Sequence, residues 1–191
     1  GLPGLTRGDA ARVASAGLIV IVGYHMFLNI GTQHTTAGVA ALVVALAPGM
    51  TLALALVVGL DRLRAEHVVG LTIAFAGVVV VVTLGSGSEL SLASTKGPLI
   101  VLGAPLAFAL YNVILKPLLG RHDLLALTAA TSLVGIVGLL PFVRASTVET
   151  VVDASASEMA LLLYLGVLAT LLGYILWNFG LRGIGPTRAV S

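Results

Sequence analysis

An all-α polytopic membrane protein is the fold class this sequence predicts, and three observations carry the prediction. The 10 basic and 8 acidic residues all fall outside six apolar runs: Val13–Gly31, Ala37–Leu60, Val68–Leu84, Pro98–Leu115, Leu124–Val143 and Met159–Leu181. Each is close to the roughly 20 residues a helix needs to cross a hydrocarbon core of about 30 Å. The chain is 58% hydrophobic and only 9% charged, against about 25% charged in ordinary soluble domains. Finally, Arg and Lys gather on one side of the membrane once the loops are assigned alternately to the two faces.

The first run carries His25 and Asn29, followed by Gln33, spaced so that all three share one helical face. Polar groups inside a bilayer cost free energy unless satisfied, which makes them functional candidates by default. His25 either lines a cavity, with a proton-carrying role conceivable only if a carboxylate joins it, or bonds a backbone carbonyl or Tyr hydroxyl of another helix. In the second run Ala41, Ala45, Gly49 and Ala53 recur every four residues, the spacing at which small side chains let helices approach in lipid. Pro48-Gly49 lies at its centre. Proline lacks an amide donor and clashes with the carbonyl four residues earlier, so Val44 is expected to need another partner, as is Val101 ahead of Pro105 in the fourth run. Kinked central helices suit a central site, and equally occur as tolerated bends. Gly70, Ala74 and Gly77 form a small-residue stripe in the third run, and Gly166, Gly173 and Gly180 one in the sixth.

The fourth run ends with Tyr111-Asn112 on its inner half; Asn112 faces either the cavity or Lys116, one turn on. The fifth run is followed by the longest outer segment, Arg144–Glu158, which is net acidic. In the sixth run Thr170, Tyr174 and Asn178 share a face, and Trp177 sits either on the cavity or in the aromatic belt that marks a membrane interface. The candidate substrate-binding residues are therefore His25, Asn29, Pro48, Tyr111, Asn112, Thr170, Tyr174 and Trp177.

Orientation follows from the loops. With the first run leading outward, the inner side holds Arg7, Arg12, Arg62, Arg64, Lys116, Arg121, Arg182 and Arg188, and the outer side Lys96 and Arg144. That is a positive-inside distribution with both visible termini cytoplasmic. Asp61, Arg62, Arg64 and Glu66 form an inner turn expected to ion-pair. Arg outnumbering Lys hints at a GC-rich bacterial source, hence a bacterial plasma membrane.

Several classes fall away. Transmembrane β-strands would show runs of about 10 residues with alternating polarity, which are missing. A net charge of +2 is too small and dispersed for nucleic acid. Zero Cys removes disulfides and thiolate sites. Gly85-Ser86-Gly87-Ser88 resembles a flexible outer linker and lacks the Lys-Ser/Thr of a phosphate loop. No cofactor or metal is implied.

An internal repeat sets the architecture. Gly23-Tyr24-x-x-Phe27 matches Gly173-Tyr174-x-x-Trp177, and after a one-residue slip Asn29, Gly31 and Ala40 match Asn178, Gly180 and Ala189. The offset of about 150 residues carries the chain through five spans, an odd number, so the copies face opposite ways. Inverted repeats of this kind recur in secondary transporters. The chain starts with Gly rather than Met and ends where another helix would begin. The expectation is a part, spans three to eight, of a ten-helix five-plus-five repeat, with residues 1–84 closing the first copy, 85–97 linking, and 98–191 opening the second.

The segments Thr36-Ala37-Gly38-Val39-Ala40-Ala41-Leu42, Ala47-Pro48, Gly59-Leu60-Asp61-Arg62-Leu63, Gly70-Leu71 and Gly77-Val78-Val79 resemble the end of an EamA-type domain of the drug/metabolite transporter superfamily. Gly97-Pro98, Tyr111-Asn112, Lys116, Tyr164-Leu165-Gly166-Val167, Tyr174, Trp177-Asn178 and Gly185-Pro186-Thr187 resemble the start of a second. Asp61 departs from the family's usual Glu. The resemblance implies carriers of amino acids, metabolites or drugs, many of them exporters, with a central cavity to which the first, second, fourth and sixth runs contribute. The function expected is a permease moving a small organic solute by alternating access, its partners that solute and the lipid bilayer, with oligomeric state open. A membrane-embedded enzyme would need a nucleophile with its base or clustered metal ligands, and His25 stands alone in its span; a non-transporting assembly subunit has no positive signal.

Overall fold

The structure, a computed structural model, describes residues 4–84 and 96–183, where the regular secondary structure is entirely helical. The Gly85–Ser88 linker, Glu89, the Gly185-Pro186-Thr187 segment and Arg188 lie outside the described residues. Five helices are long and apolar enough to cross a membrane: α1 (Arg7–Thr32), α2 (Ala37–Val57), α4 (Lys96–Leu119), α5 (Leu124–Phe142) and α7 (Ala156–Gly180). Between them lie α3 (Ala65–Leu84), which carries the third apolar run, and α6 (Ala145–Val152). The protein is thus a multi-pass, all-helical membrane protein, with five rather than six candidate spans among the described residues.

Helix starts are written in the polar residues between runs. Thr6 and Asp9 form a reciprocal capping box at α1, the Thr6 hydroxyl accepting from the Asp9 amide at 3.1 Å. Thr36 caps α2, Asp123 caps α5 at 2.9 Å, and Ser155 with Glu158 forms a second capping box at α7. Each satisfies amides that have no intrahelical acceptor.

The prolines act differently from mid-helix kinks. α2 consists of Ala37–Val44 and Ala47–Val57, and α4 of Lys96–Val101 and Gly103–Leu119. Pro48 and Pro105 therefore sit in the first turn after a break, where a helix has no use for the missing amide. The break precedes the ring, so the distortion falls at Ala45-Leu46 and Leu102. A further irregularity lies in α1 and α7: Leu18–Gly23 and Tyr164–Leu172 are wound as π-helix, a geometry held by well under 1% of residues and concentrated at functional sites.

Helix directions alternate. Gly17 of α1 backs onto the Thr131 backbone of α5 and Ile21 onto Gly135, so α1 and α5 run parallel. Gly31 abuts Val101 and Phe27 abuts Gly103, so α1 and α4 run antiparallel. α4 is the central helix, packing on α1, α2, α5 and α7. The densest core joins Val13, Ala16 and Val20 of α1 to Tyr111, Leu115, Leu118 and Leu119 of α4 and Leu124 and Leu127 of α5. Leu161, Leu165, Leu168, Leu172, Leu176 and Phe179 of α7 are exposed among the described residues.

Of the small-residue stripes, Ala74 and Gly77 lie outside the described side chains, and in the second run Gly49 approaches Leu71 of α3, while other positions differ from expectation. An added Cβ at Gly166, Gly173 or Gly180 meets nothing within 4 Å, and Ala41 and Ala53 are exposed. The buried face of α2 is Val39, Ala40, Ala47, Thr51, Leu52 and Ala55. Close approach occurs instead at Gly17, Gly31, Gly97, Gly103 and Gly135. In a chain this rich in Ala and Gly, regular spacing does not say which face meets a neighbour. The segment Arg144–Glu158 is also not a plain loop, since α6 forms within it: Val148, Val151 and Val152 recur at helical spacing.

At the Arg-rich end, Arg121 donates to the buried Asp9 carboxylate at 2.9 Å, with His122 Nε2 at 3.7 Å from its other oxygen. This ties the start of α1 to the α4–α5 turn. The inner-turn pair Arg64–Glu66 spans 3.3 Å between exposed side chains, where such pairs contribute little. Asp9→Ala removes both a cap and an inter-helix ion pair, so it is expected to lower the melting temperature in detergent clearly more than Glu66→Ala. Equal effects would show that the Asp9 cluster does not fasten the bundle.

Candidate functional site

A cavity of about 420 Å³ opens between α1, α2, α4 and α7, lined by Tyr24, His25, Val44, Ala47, Phe108, Thr170, Gly173, Tyr174 and Trp177. Its size falls within the range of small-molecule sites. Four of its residues are aromatic, and none is Asp, Glu, Lys or Arg. The broken α2 supplies Val44 and Ala47 from the two sides of its break.

Both π-helical segments deliver a polar side chain to this cavity. His25 follows the segment in α1, and its Nδ1 lies 3.1 Å from the Ile21 carbonyl oxygen. A carbonyl only accepts, so Nδ1 carries the proton, and in the neutral ring Nε2 is an acceptor. Thr170 lies within the segment in α7 and donates to the Leu165 carbonyl at 2.7 Å. Its oxygen keeps lone pairs for a ligand. His25 thus lines the cavity and also bonds a backbone carbonyl, though one of its own helix.

Behind the cavity wall runs a buried polar network. Trp177 Nε1 donates to Asn112 Oδ1 at 2.9 Å, Tyr111 OH donates to Asn178 Oδ1 at 2.7 Å, and Asn178 Nδ2 donates to Thr128 Oγ1 at 3.0 Å. The Thr128 hydroxyl in turn donates to the Leu124 carbonyl at 2.9 Å. Low dielectric makes such bonds strong and their loss costly. The network locks α7 to α4 and α5 and fixes the Trp177 indole, whose one donor is then spent.

Of the residues singled out from the sequence, His25, Thr170, Tyr174 and Trp177 converge on the cavity. Tyr111 and Asn112 are buried behind it as holders of Asn178 and Trp177, and Tyr111 touches Tyr174 edge to face at a ring separation of 6.0 Å. Pro48 flanks the lining residue Ala47. Asn29 is exposed, as is Gln33. Both share a face with His25 but lie one and two turns further along α1, beyond the residues that line the cavity. Trp177 is half-buried, lines the cavity and is held by Asn112. Sequence reasoning missed Tyr24, Phe108, Val44, Ala47 and Gly173 as lining residues. Tyr24 and Gly173 carried a usable signal, since each belongs to the repeated Gly-Tyr; Phe108, Val44 and Ala47 carried none that separates them from core.

A family model described as the EamA-like transporter family matches residues 2–83 and 95–191. An "Uncharacterized transporter" of Archaeoglobus fulgidus is 32% identical over 181 residues, covering 95% of this chain and 63% of the relative. A "Probable terminal-alkyne amino-acid exporter" of Streptantibioticus cattleyicolor is 29% identical over 183 residues, covering 96% of this chain and 60% of that protein. A "Probable amino-acid metabolite efflux pump" of Salmonella typhimurium is 25% identical over 172 residues, covering 85% of this chain and 56% of the pump. The chain therefore spans about 60% of the length of the curated relatives it matches. No solved structure matches it.

Proposed function

This chain belongs to the EamA-like transporter family, and we propose that it forms part of a secondary carrier that exports a small organic solute by alternating access. The observation that carries the reading is the meeting of the two Gly-Tyr copies. Tyr24 and Tyr174 stand at one cavity, each directly after or close behind a π-helical segment, on helices that the repeat places in opposite orientation. A midplane cavity at the interface of inverted repeats, walled by discontinuous helices, is where secondary transporters hold their solutes. His25, Thr170, Tyr174 and Trp177 contact the solute, together with Tyr24 and Phe108.

The carrier's architecture is ten helices in two five-helix halves, with α3 counted as a span, residues 1–84 in the first half, 85–97 as the outer connection and 98–191 in the second. It lies in a bacterial plasma membrane with the Arg-rich ends of α1 and of the α4–α5 turn at the cytoplasmic face. Relatives named as an exporter and an efflux pump favour export, and the family name favours transport over catalysis.

Everted vesicles from cells expressing the intact gene product test this. They are expected to accumulate a labelled solute of the exported class faster than vesicles lacking the protein. Equal accumulation across a panel of amino acids, amines and hydrophobic drugs would contradict the proposal.

A further inference from the structure

We propose that the cavity selects organic ammonium cations carrying an aromatic or similarly sized apolar group, an inference that rests on reading this cavity as the solute site. The lining offers negative potential without a negative charge. Tyr24 and Phe108 stand 6.2 Å apart with planes inclined at 57°, and Phe108 and Trp177 stand 5.1 Å apart at 50°. These rings are inclined to one another rather than stacked flat, and Tyr174 adds a fourth to the lining. A cation within about 6 Å of a ring face is drawn by its quadrupole, most strongly where water is excluded.

The hydrogen-bonding groups point to the same ligand. The indole N–H of Trp177 is taken by Asn112, the Nδ1 proton of His25 by Ile21, and the Thr170 hydroxyl proton by Leu165. These three residues spend those donors on the protein, the Thr170 oxygen keeps lone pairs toward a solute, and the Tyr24 and Tyr174 hydroxyls can accept as well as donate. An ammonium N–H can donate to these oxygens, whereas a carboxylate finds no cationic partner, since no Lys or Arg stands among the lining residues. The four rings and the absence of a lining cation thus favour a protonated amine over an anion.

Trp177 is the single Trp of the chain and reports occupancy directly. The purified chain in lipid nanodiscs is titrated with 2-phenylethylammonium, 2-phenylethanol and phenylacetate, which share a ring and differ in charge. Trp177 emission is followed, with each uncharged or anionic probe also run in competition against the ammonium. The expected result is an ammonium dissociation constant about tenfold below that of the alcohol, with the anion weaker still. Phe108→Leu, which keeps apolar area and removes a ring, should weaken the ammonium severalfold and leave the alcohol nearly unchanged. Equal or tighter binding of alcohol or anion overturns the cation preference and leaves the cavity as a solute site. A Trp177 emission unmoved by all three probes overturns both readings.

Discussion

Gly17→Val is expected to be the most destabilising single change in the described bundle. A side chain there would enter the backbone of Thr131, whose carbonyl oxygen already occupies the space a Cβ needs. Overpacking in a well-filled core costs about 1–3 kcal/mol, and backbone yields less readily than a rotamer, so the upper end applies. The same contact sets the spacing of α1 and α5 along the row Gly17–Thr131 and Ile21–Gly135, so the loss should propagate to the Val13–Leu127 core. Gly166→Ala, where a Cβ meets nothing within 4 Å, should stay within about 0.5 kcal/mol of the parent. Thermal unfolding in one detergent, read by far-UV circular dichroism, compares them. Similar midpoints for both variants would show that α1 and α5 do not approach as described.

The second large effect is functional. Tyr24→Ala and Tyr174→Ala each open the cavity at one copy of the repeated Gly-Tyr. Removing a ring that packs against the solute should lower flux in everted vesicles about tenfold, the equivalent of roughly 1.4 kcal/mol of lost binding free energy. The exposed Leu168 of α7 serves as the control, and its replacement by Ala should leave flux within twofold. On the proposed two-half architecture the two tyrosines stand in equivalent places, so the pair should be affected alike. Flux lowered by Tyr174→Ala alone would mean that α1 does not share the solute site.

Much of this molecule is legible in its sequence because the bilayer permits few solutions. Apolar length locates the helices, and Thr6, Thr36, Asp123 and Ser155 mark where four of them begin. The repeat paired Tyr174 with Tyr24, a signal that pointed to Tyr174 but was not carried over to Tyr24. What was not legible depends on faces and on long-range partners. His25, Asn29 and Gln33 share a stripe by spacing, yet only His25 lines the cavity, while Asn29 and Gln33, one and two turns further along α1, are exposed. Tyr111 and Asn112 are the right chemistry one layer too deep: their partners, Asn178 and Trp177, lie 67 and 65 residues away. The Asp9–Arg121 pair spans 112 residues and has no local signature. The two π-helical segments arise from Leu-, Ile- and Val-rich stretches that read as ordinary helix. The prolines were legible as sites of distortion, but the break ahead of each ring was not.

The claim that Thr170 faces a solvated solute cavity within the membrane can be tested by thiol labelling. The chain has no Cys, so single replacements report cleanly. Thr170→Cys and Leu168→Cys lie two residues apart on α7, the first on the cavity lining and the second on the exposed apolar surface. A water-soluble, membrane-impermeant methanethiosulfonate reagent should modify Thr170→Cys in reconstituted protein at a rate approaching that of Ser146→Cys outside the membrane, and should leave Leu168→Cys unmodified. Thr170→Cys as unreactive as Leu168→Cys would contradict the account.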